Sequence, residues 1–265
     1  MADRAGRHAP DLRDRALSAD ESEALLLARL TSHAVFEDIE QRDRDGLLEI
    51  LLQRRFLSLA FPVVYDIGID GLGDPTAIRL VREILREEYP DPSGATPSHR
   101  EDLVHDLLAL GATRARVLAA RPTATTAGVV ESTLGLMLDA AAEGDDVGVL
   151  TILRFWGEVV VSVEYGEFWR RMEREFQAAG TASRFYHPHH HHDGREPLAL
   201  ASESSRTHSG RLGACLARLL ARDDAPARFA RTEEQVLAGR LRFYDQFAVR
   251  RAGVGAPETA APRRA

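Results

Sequence analysis

The residues best suited to chemistry are concentrated in one stretch, Arg184–Glu196, which reads RFYHPHHHHDGRE and holds five of the ten histidines, with Asp193 closing the run. Imidazole nitrogen beside carboxylate oxygen is the donor chemistry of iron, zinc and manganese sites. A histidine run alone also fits a solvated polar loop flanked by Pro188 and Gly194. The run lies between apolar segments, which is not where a purification tag sits. A metal site therefore needs carboxylates and another histidine from elsewhere in the chain. The available set is dispersed. Glu88 closes one helical segment, and His99 opens the next after a turn. Glu164, or Glu158 one and a half turns earlier, lies mid-helix among Val, Phe and Trp residues, where an unpaired carboxylate is costly. His189 and Asp193 stand four apart and share a face if that segment is helical. Each of these residues, taken singly, also reads as an ordinary polar position on a helix.

The elements that must position this set are helices. Ser18 and Glu21 form a capping-box pattern ahead of EALLLARLTSHAVFEDIE, in which His33 reads as a partly buried helix residue. A second helix runs from Asp45, and Pro62 should bend or interrupt it. Asp74-Pro75 supplies an N-cap and first-turn pair for a helix that ends at Tyr89-Pro90. A turn-rich DPSGATP follows, then a helix from Thr96-Pro97 that Gly111 terminates, and a linker from Pro122 to Thr126. From Asp146 to Ala179 charges recur at three and four residues, so the VVVSV run reads as helix, kinked near Gly166. Two further amphipathic helices fit RTHSGRLGACLARLLAR and ARFARTEEQVLAGRLRFYDQFAVRR. With no strand pair and no repeat, the expectation is an all-α single-domain multi-helix bundle over residues 18–251, with disordered tails at 1–17 and 252–265.

Composition narrows the function classes. The chain has 265 residues, is 44% hydrophobic and carries a net charge of −7. The acidic balance argues against general nucleic-acid binding. No apolar run reaches membrane-span length, and a cytoplasmic location is the default. Cys215 is the single cysteine, so internal disulfides and Cys-rich zinc sites are excluded. There is no lysine, which excludes Schiff-base chemistry. HExxH, GxSxG and the GK[ST] ending of a phosphate loop are all absent. The paired ExxH motifs of ferritin-like sites are missing too; Asp102 to His105 comes nearest.

The order Glu-Tyr, a Gly/Pro-rich turn, His, a Gly-containing helix with an internal Glu, then Phe-Tyr with His-x3-Asp resembles the haem-oxygenase-like diiron oxidases and oxygenases, over roughly residues 61–222. The resemblance implies the haem oxygenase fold, two Fe(II) per chain, and O₂ activation to oxidise a small organic substrate. It implies Glu88 and His99 as ligands, Glu164 (runner-up Glu158) as the mid-bundle carboxylate, and His189 with Asp193 from the His-x3-Asp-x2-His signature. Glu196 stands at the signature's last position, so Glu196, His192 or His208 completes the set. A further early-helix carboxylate is unassigned, with Glu49 and Asp66 nearest. Other readings are a metal-free enzyme of the same fold, thiaminase-like or quinone-cofactor-synthesising, a haem-degrading member using His33, and a non-catalytic helical binding protein. Assembly as a homodimer stays open.

Overall fold

The computed structural model describes residues 18–192 and 194–248. The expected tails at 1–17 and 252–265, and Asp193, lie outside them. All regular structure among the described residues is helical. The elements are α1 (Ala19–Thr31), α2 (Ala34–Glu37), α3 (Arg44–Gly71), α4 (Pro75–Glu87), α5 (His99–Ala109) and α6 (Arg114–Ala119). They continue with α7 (Ala124–Ala142), α8 (Asp146–Thr151), a π-helical segment (Ile152–Val159), α9 (Val160–Ala179), α10 (Tyr186–His192), α11 (His208–Leu219) and α12 (Ala225–Asp245).

The sequence signals at helix ends operate as read. Ser18 and Glu21 close a reciprocal capping box on α1, Asp74 caps α4 ahead of Pro75, and Ser98 with Glu101 forms a second capping box on α5. Gly111 adopts φ 99°, a conformation that L side chains rarely reach, just past α5. Pro62 does not interrupt α3, which stays helical through it for 28 residues. The flanking turns bury Leu57, Val64 and Tyr65 in the core. Their burial, about 2 kcal/mol for each side chain, outweighs the roughly 3 kcal/mol a mid-helix proline costs.

The helix expected over 146–179 runs unbroken through Gly166. Its irregularity lies earlier, in eight wholly buried residues wound as a π-helix. The Val160 N–H bonds back five residues to the Phe155 carbonyl. The wider turn splays carbonyls outward, and buried side chains meet them: the Tyr65 hydroxyl at Leu153 O (3.4 Å) and Arg240 Nη2 at Trp156 O (3.0 Å). π turns are rare and concentrate at functional sites. This one sets the facing of Glu158, which lies within it, and of Glu164, which follows it.

Gly166 has a different use. A Cβ there would lie 2.6 Å from Cε1 of His190, whose Nδ1 bonds the Ser162 carbonyl at 3.1 Å. The bare glycine lets α10 lie against α9. Gly166→Ala is therefore expected to cost about 1–2 kcal/mol by displacing that ring, and to loosen the docking of α10 on α9. Urea unfolding with hydrogen exchange over residues 186–192 measures both; a variant unchanged in both would remove the His190–Gly166 contact as the determinant of how α10 docks.

Candidate metal centre

Glu88 and His99 are brought together by the turn between α4 and α5. Glu88 is the C-cap residue of α4 and His99 the first residue of α5. The turn is closed by Asp91, whose amide bonds Thr96 O at 3.1 Å and whose carbonyl accepts from Gly94 N at 2.7 Å, with Gly94 at φ 72°. His99 Nδ1 then lies 2.8 Å from Glu88 Oε1. A proton shared between these atoms is what a cation would displace.

His189 comes from α10. Its Nδ1 lies 2.7 Å from the Phe185 carbonyl, which fixes Nδ1 as the protonated nitrogen and leaves the lone pair on Nε2. Its ring packs against His99 at 4.5 Å between centroids. Glu88, His99 and His189 each offer a donor atom, all within 4.8 Å of one another. Two imidazoles and one carboxylate form a donor set that suits iron(II) and zinc.

The three line one cavity. Glu158, from the π segment, and His208, the first residue of α11, line it too. Glu158 is 1% exposed and receives a very short hydrogen bond from Tyr65; its other oxygen lies 3.4 Å from His208 Nδ1. His208 Nε2 lies 3.4 Å from Glu87 on the opposite side.

The structure places Glu164 elsewhere. Its carboxylate is fully buried and paired with Arg54 Nε at 2.8 Å and Arg240 Nε at 3.2 Å. Two guanidiniums supply the compensation that a buried carboxylate needs, so Glu164 is a structural counter-charge and Glu158 is the mid-bundle acid that reaches the cavity. Glu196 is also committed, accepting from Ser205 Oγ at 2.8 Å and Thr207 Oγ1 at 3.1 Å. Of the residues weighed to complete the set whose side chains are described, His208 lines the cavity and Glu196 does not. Asp193 lies outside the described residues, as does the side chain of His192. His33 caps α2 by accepting from Val35 N through Nδ1, while Nε2 faces Asp245 at 3.3 Å, so neither nitrogen is turned to an axial-ligand role.

Asp106, which gave no chemical signal in the sequence, positions His189. This fully buried carboxylate from α5 accepts from Ser183 Oγ (2.6 Å) and from the amides of Arg184 (2.9 Å), Phe185 (2.9 Å) and Tyr186 (3.1 Å). Those amides are the orphan donors at the start of α10. Pro188 falls in the first turn, where a missing N–H costs nothing. His105, the end of the Asp102–His105 spacing, bonds Asp106 at 3.1 Å.

Part of the cavity wall is cationic. Arg54 and Arg240 line it, with Glu164 balancing one of their two charges. Arg54 Nη1 bonds Ser58 Oγ at 3.1 Å, and Ser58 meets the Tyr165 hydroxyl at 3.3 Å. Burial raises the Tyr165 phenol above its ordinary value, so it stays neutral.

No known family profile matches the sequence, and no curated protein is similar to it in sequence. Similarity appears in the fold. A CADD-like protein of unknown function from Nostoc punctiforme superposes with a TM-score of 0.59 at 12% identity, over 87% of this chain and 94% of that one. A second structure of that protein gives 0.56 at 13%, over 87% and 96%. A TenA family transcription regulator from Silicibacter sp. gives 0.54 at 15%, over 86% and 96%. These neighbours have the all-α thiaminase/haem-oxygenase-like fold, and this chain shares it. At such identities the likeness extends to the fold alone.

Proposed function

We propose that this chain is a non-haem iron oxidase or oxygenase that uses O₂ to oxidise a small organic substrate. The observation that carries this reading is the convergence of Glu88, His99 and His189 from three elements within 4.8 Å, at the wall of a largely apolar cavity. Two histidines and a carboxylate with open positions are the donor set of iron(II) oxygenases. Glu158 and His208, on the same cavity, would serve a second ion. Iron bound there would supply O₂ activation. The chain's own residues bind and orient: Leu57, Phe61, Ile84, Trp156, Val161 and Phe185 exclude water, and the Arg54–Arg240 part of the wall favours a substrate carrying an anionic group. His189 keeps its ligating tautomer through Phe185 O, and Glu158 accepts from the Tyr65 hydroxyl.

The thiaminase-like alternative needs a nucleophilic cysteine. Cys215 is buried within α11, and burial pushes its thiol up, against a nearby Arg218 that pulls it down. It is not among the residues lining the cavity. A thiol held protonated and covered is a poor nucleophile.

Glu88→Ala and His99→Ala are each expected to lower bound iron strongly, at least 10-fold, with helix content nearly unchanged, because apolar packing elsewhere holds the bundle. Metal analysis of tag-free protein from iron-rich medium, with circular dichroism, provides the test. Near two irons per chain supports the dinuclear reading. One iron restricts the centre to Glu88, His99 and His189, and zinc alone or no metal overturns the oxidase.

A further inference from the structure

α10 carries a second nitrogen cluster on the face opposite His189. At about 100° per residue, His187 and His191 fall within roughly 40° of each other, and His189 points about 160–200° away from both. The structure places His187 Nε2 and His191 Nε2 3.2 Å apart, with ring centroids 4.6 Å apart and inclined at 70°. Two nitrogens bonded at about 2.0–2.1 Å to one ion lie roughly 2.9–3.4 Å apart for angles between square and tetrahedral. The observed separation falls inside that window.

The pair is also held in place. Trp169 from α9 packs on the His187 ring at 4.6 Å. His190, between the two along the chain, has its Nδ1 at the Ser162 carbonyl and its ring over Gly166, with its centroid 4.9 Å from that of His191. His191 is exposed and His187 half-buried, so solvent can complete a coordination shell.

We infer that His187 and His191 form a surface chelate for a borderline divalent transition cation, Cu(II), Ni(II) or Zn(II), separate from the internal cluster. Imidazole donors with water select these ions over Mg(II) or Ca(II), and their affinities follow the order in which Cu(II) binds most tightly. The inference stands on α10 alone and does not need the internal centre to hold iron.

The probe is Cu(II), titrated into tag-free full-length protein in the His99→Ala background, where the internal cluster lacks a donor. Binding is followed calorimetrically and by electron paramagnetic resonance. One Cu(II) with a two-nitrogen signature is expected. His187→Gln, His191→Gln and the double variant should all weaken it alike, roughly 100-fold, because losing either ring loses the chelate. His190→Gln with His192→Gln removes the same number of histidines and should leave the tight site in place. Equal weakening by both double variants would show an unstructured histidine tract and overturn the chelate. So would tight Cu(II) binding that survives His187→Gln with His191→Gln. Iron content of the His187→Gln and His191→Gln variants with His99 intact reports the internal centre separately, and is expected to be unchanged.

Discussion

Asp106→Asn is expected to abolish stoichiometric metal binding, although Asp106 is not itself one of the clustered donors. Its Oδ2 accepts from Ser183 Oγ, Phe185 N and Tyr186 N, and its Oδ1 from Arg184 N and His105. Asparagine has nearly the same shape, but one of its two terminal atoms is a donor. Whichever way the amide turns, an NH₂ faces a buried N–H. Charge-assisted bonds are worth about 1.5–3 kcal/mol each, and an orphaned buried donor costs about 1–3 kcal/mol. The local loss is therefore about 3–5 kcal/mol, falling on the start of a seven-residue helix. A helix that short has no stability of its own. α10 should fray, His189 should leave the Glu88–His99 pair, and iron affinity should fall at least 100-fold. Hydrogen exchange should report opening confined to the segment from Arg184 to His191, with the rest of the bundle protected. His105→Ala removes only a partly exposed partner and should change little. Full iron occupancy in Asp106→Asn would mean that α10 is held by something other than this cap.

How much of this was legible in the sequence depends on how far apart the partners lie. Glu88 and His99 could be read because every signal that joins them is local: the Asp74-Pro75 start of α4, the Gly/Pro turn, and the Ser98–Glu101 box. His189 followed from the histidine run and its position on a helical face. Asp106 could not be read, because its acceptor role is defined by amides 78 to 80 residues away. The sequence puts Glu164 ahead of Glu158, and the structure reverses that order for a different reason. A π turn holds more residues than an α turn, so it rotates everything after it by tens of degrees relative to a 3.6-residue period. Periodicity therefore could not say which acid faces the cavity. Arg54 and Arg240, which claim Glu164, lie 110 and 76 residues from it. The same limit applied to Glu196, whose place in the histidine signature suggested a ligand while Ser205 and Thr207 hold it.

Glu233→Gln is expected to stabilise the protein at neutral and alkaline pH. Glu233 on α12 is fully buried, and neither carboxylate oxygen has a donor among the described residues. Glu23 from α1 lies beside it, and Arg154 and Arg195 both bond Glu23, not Glu233. Burial and the Glu23 charge push the Glu233 carboxyl from 4.5 up to about 10, against the opposing pull of Arg154 and Arg195. The missing donor is then a proton on Glu233 itself, shared with Glu23. Because the folded value lies above the unfolded one, the folded state binds the extra proton. Its contribution is fully present below about pH 4.5 and is lost as pH rises toward about 10. Each pH unit in that window removes about 1.4 kcal/mol, so at pH 7 the deficit relative to pH 4 is about 3 kcal/mol. Glutamine keeps the shape, donates through its NH₂ to Glu23, and does not titrate. Denaturant unfolding from pH 4.5 to 9 should show the variant and wild type nearly equal in acid and diverging as pH rises, the variant ahead by a few kcal/mol at pH 8. Taking the difference between the two proteins cancels every other titrating group. A difference that stays flat across the range, or that favours wild type at high pH, would mean that Glu233 is ionised and held by Arg154 and Arg195 as part of the same buried network.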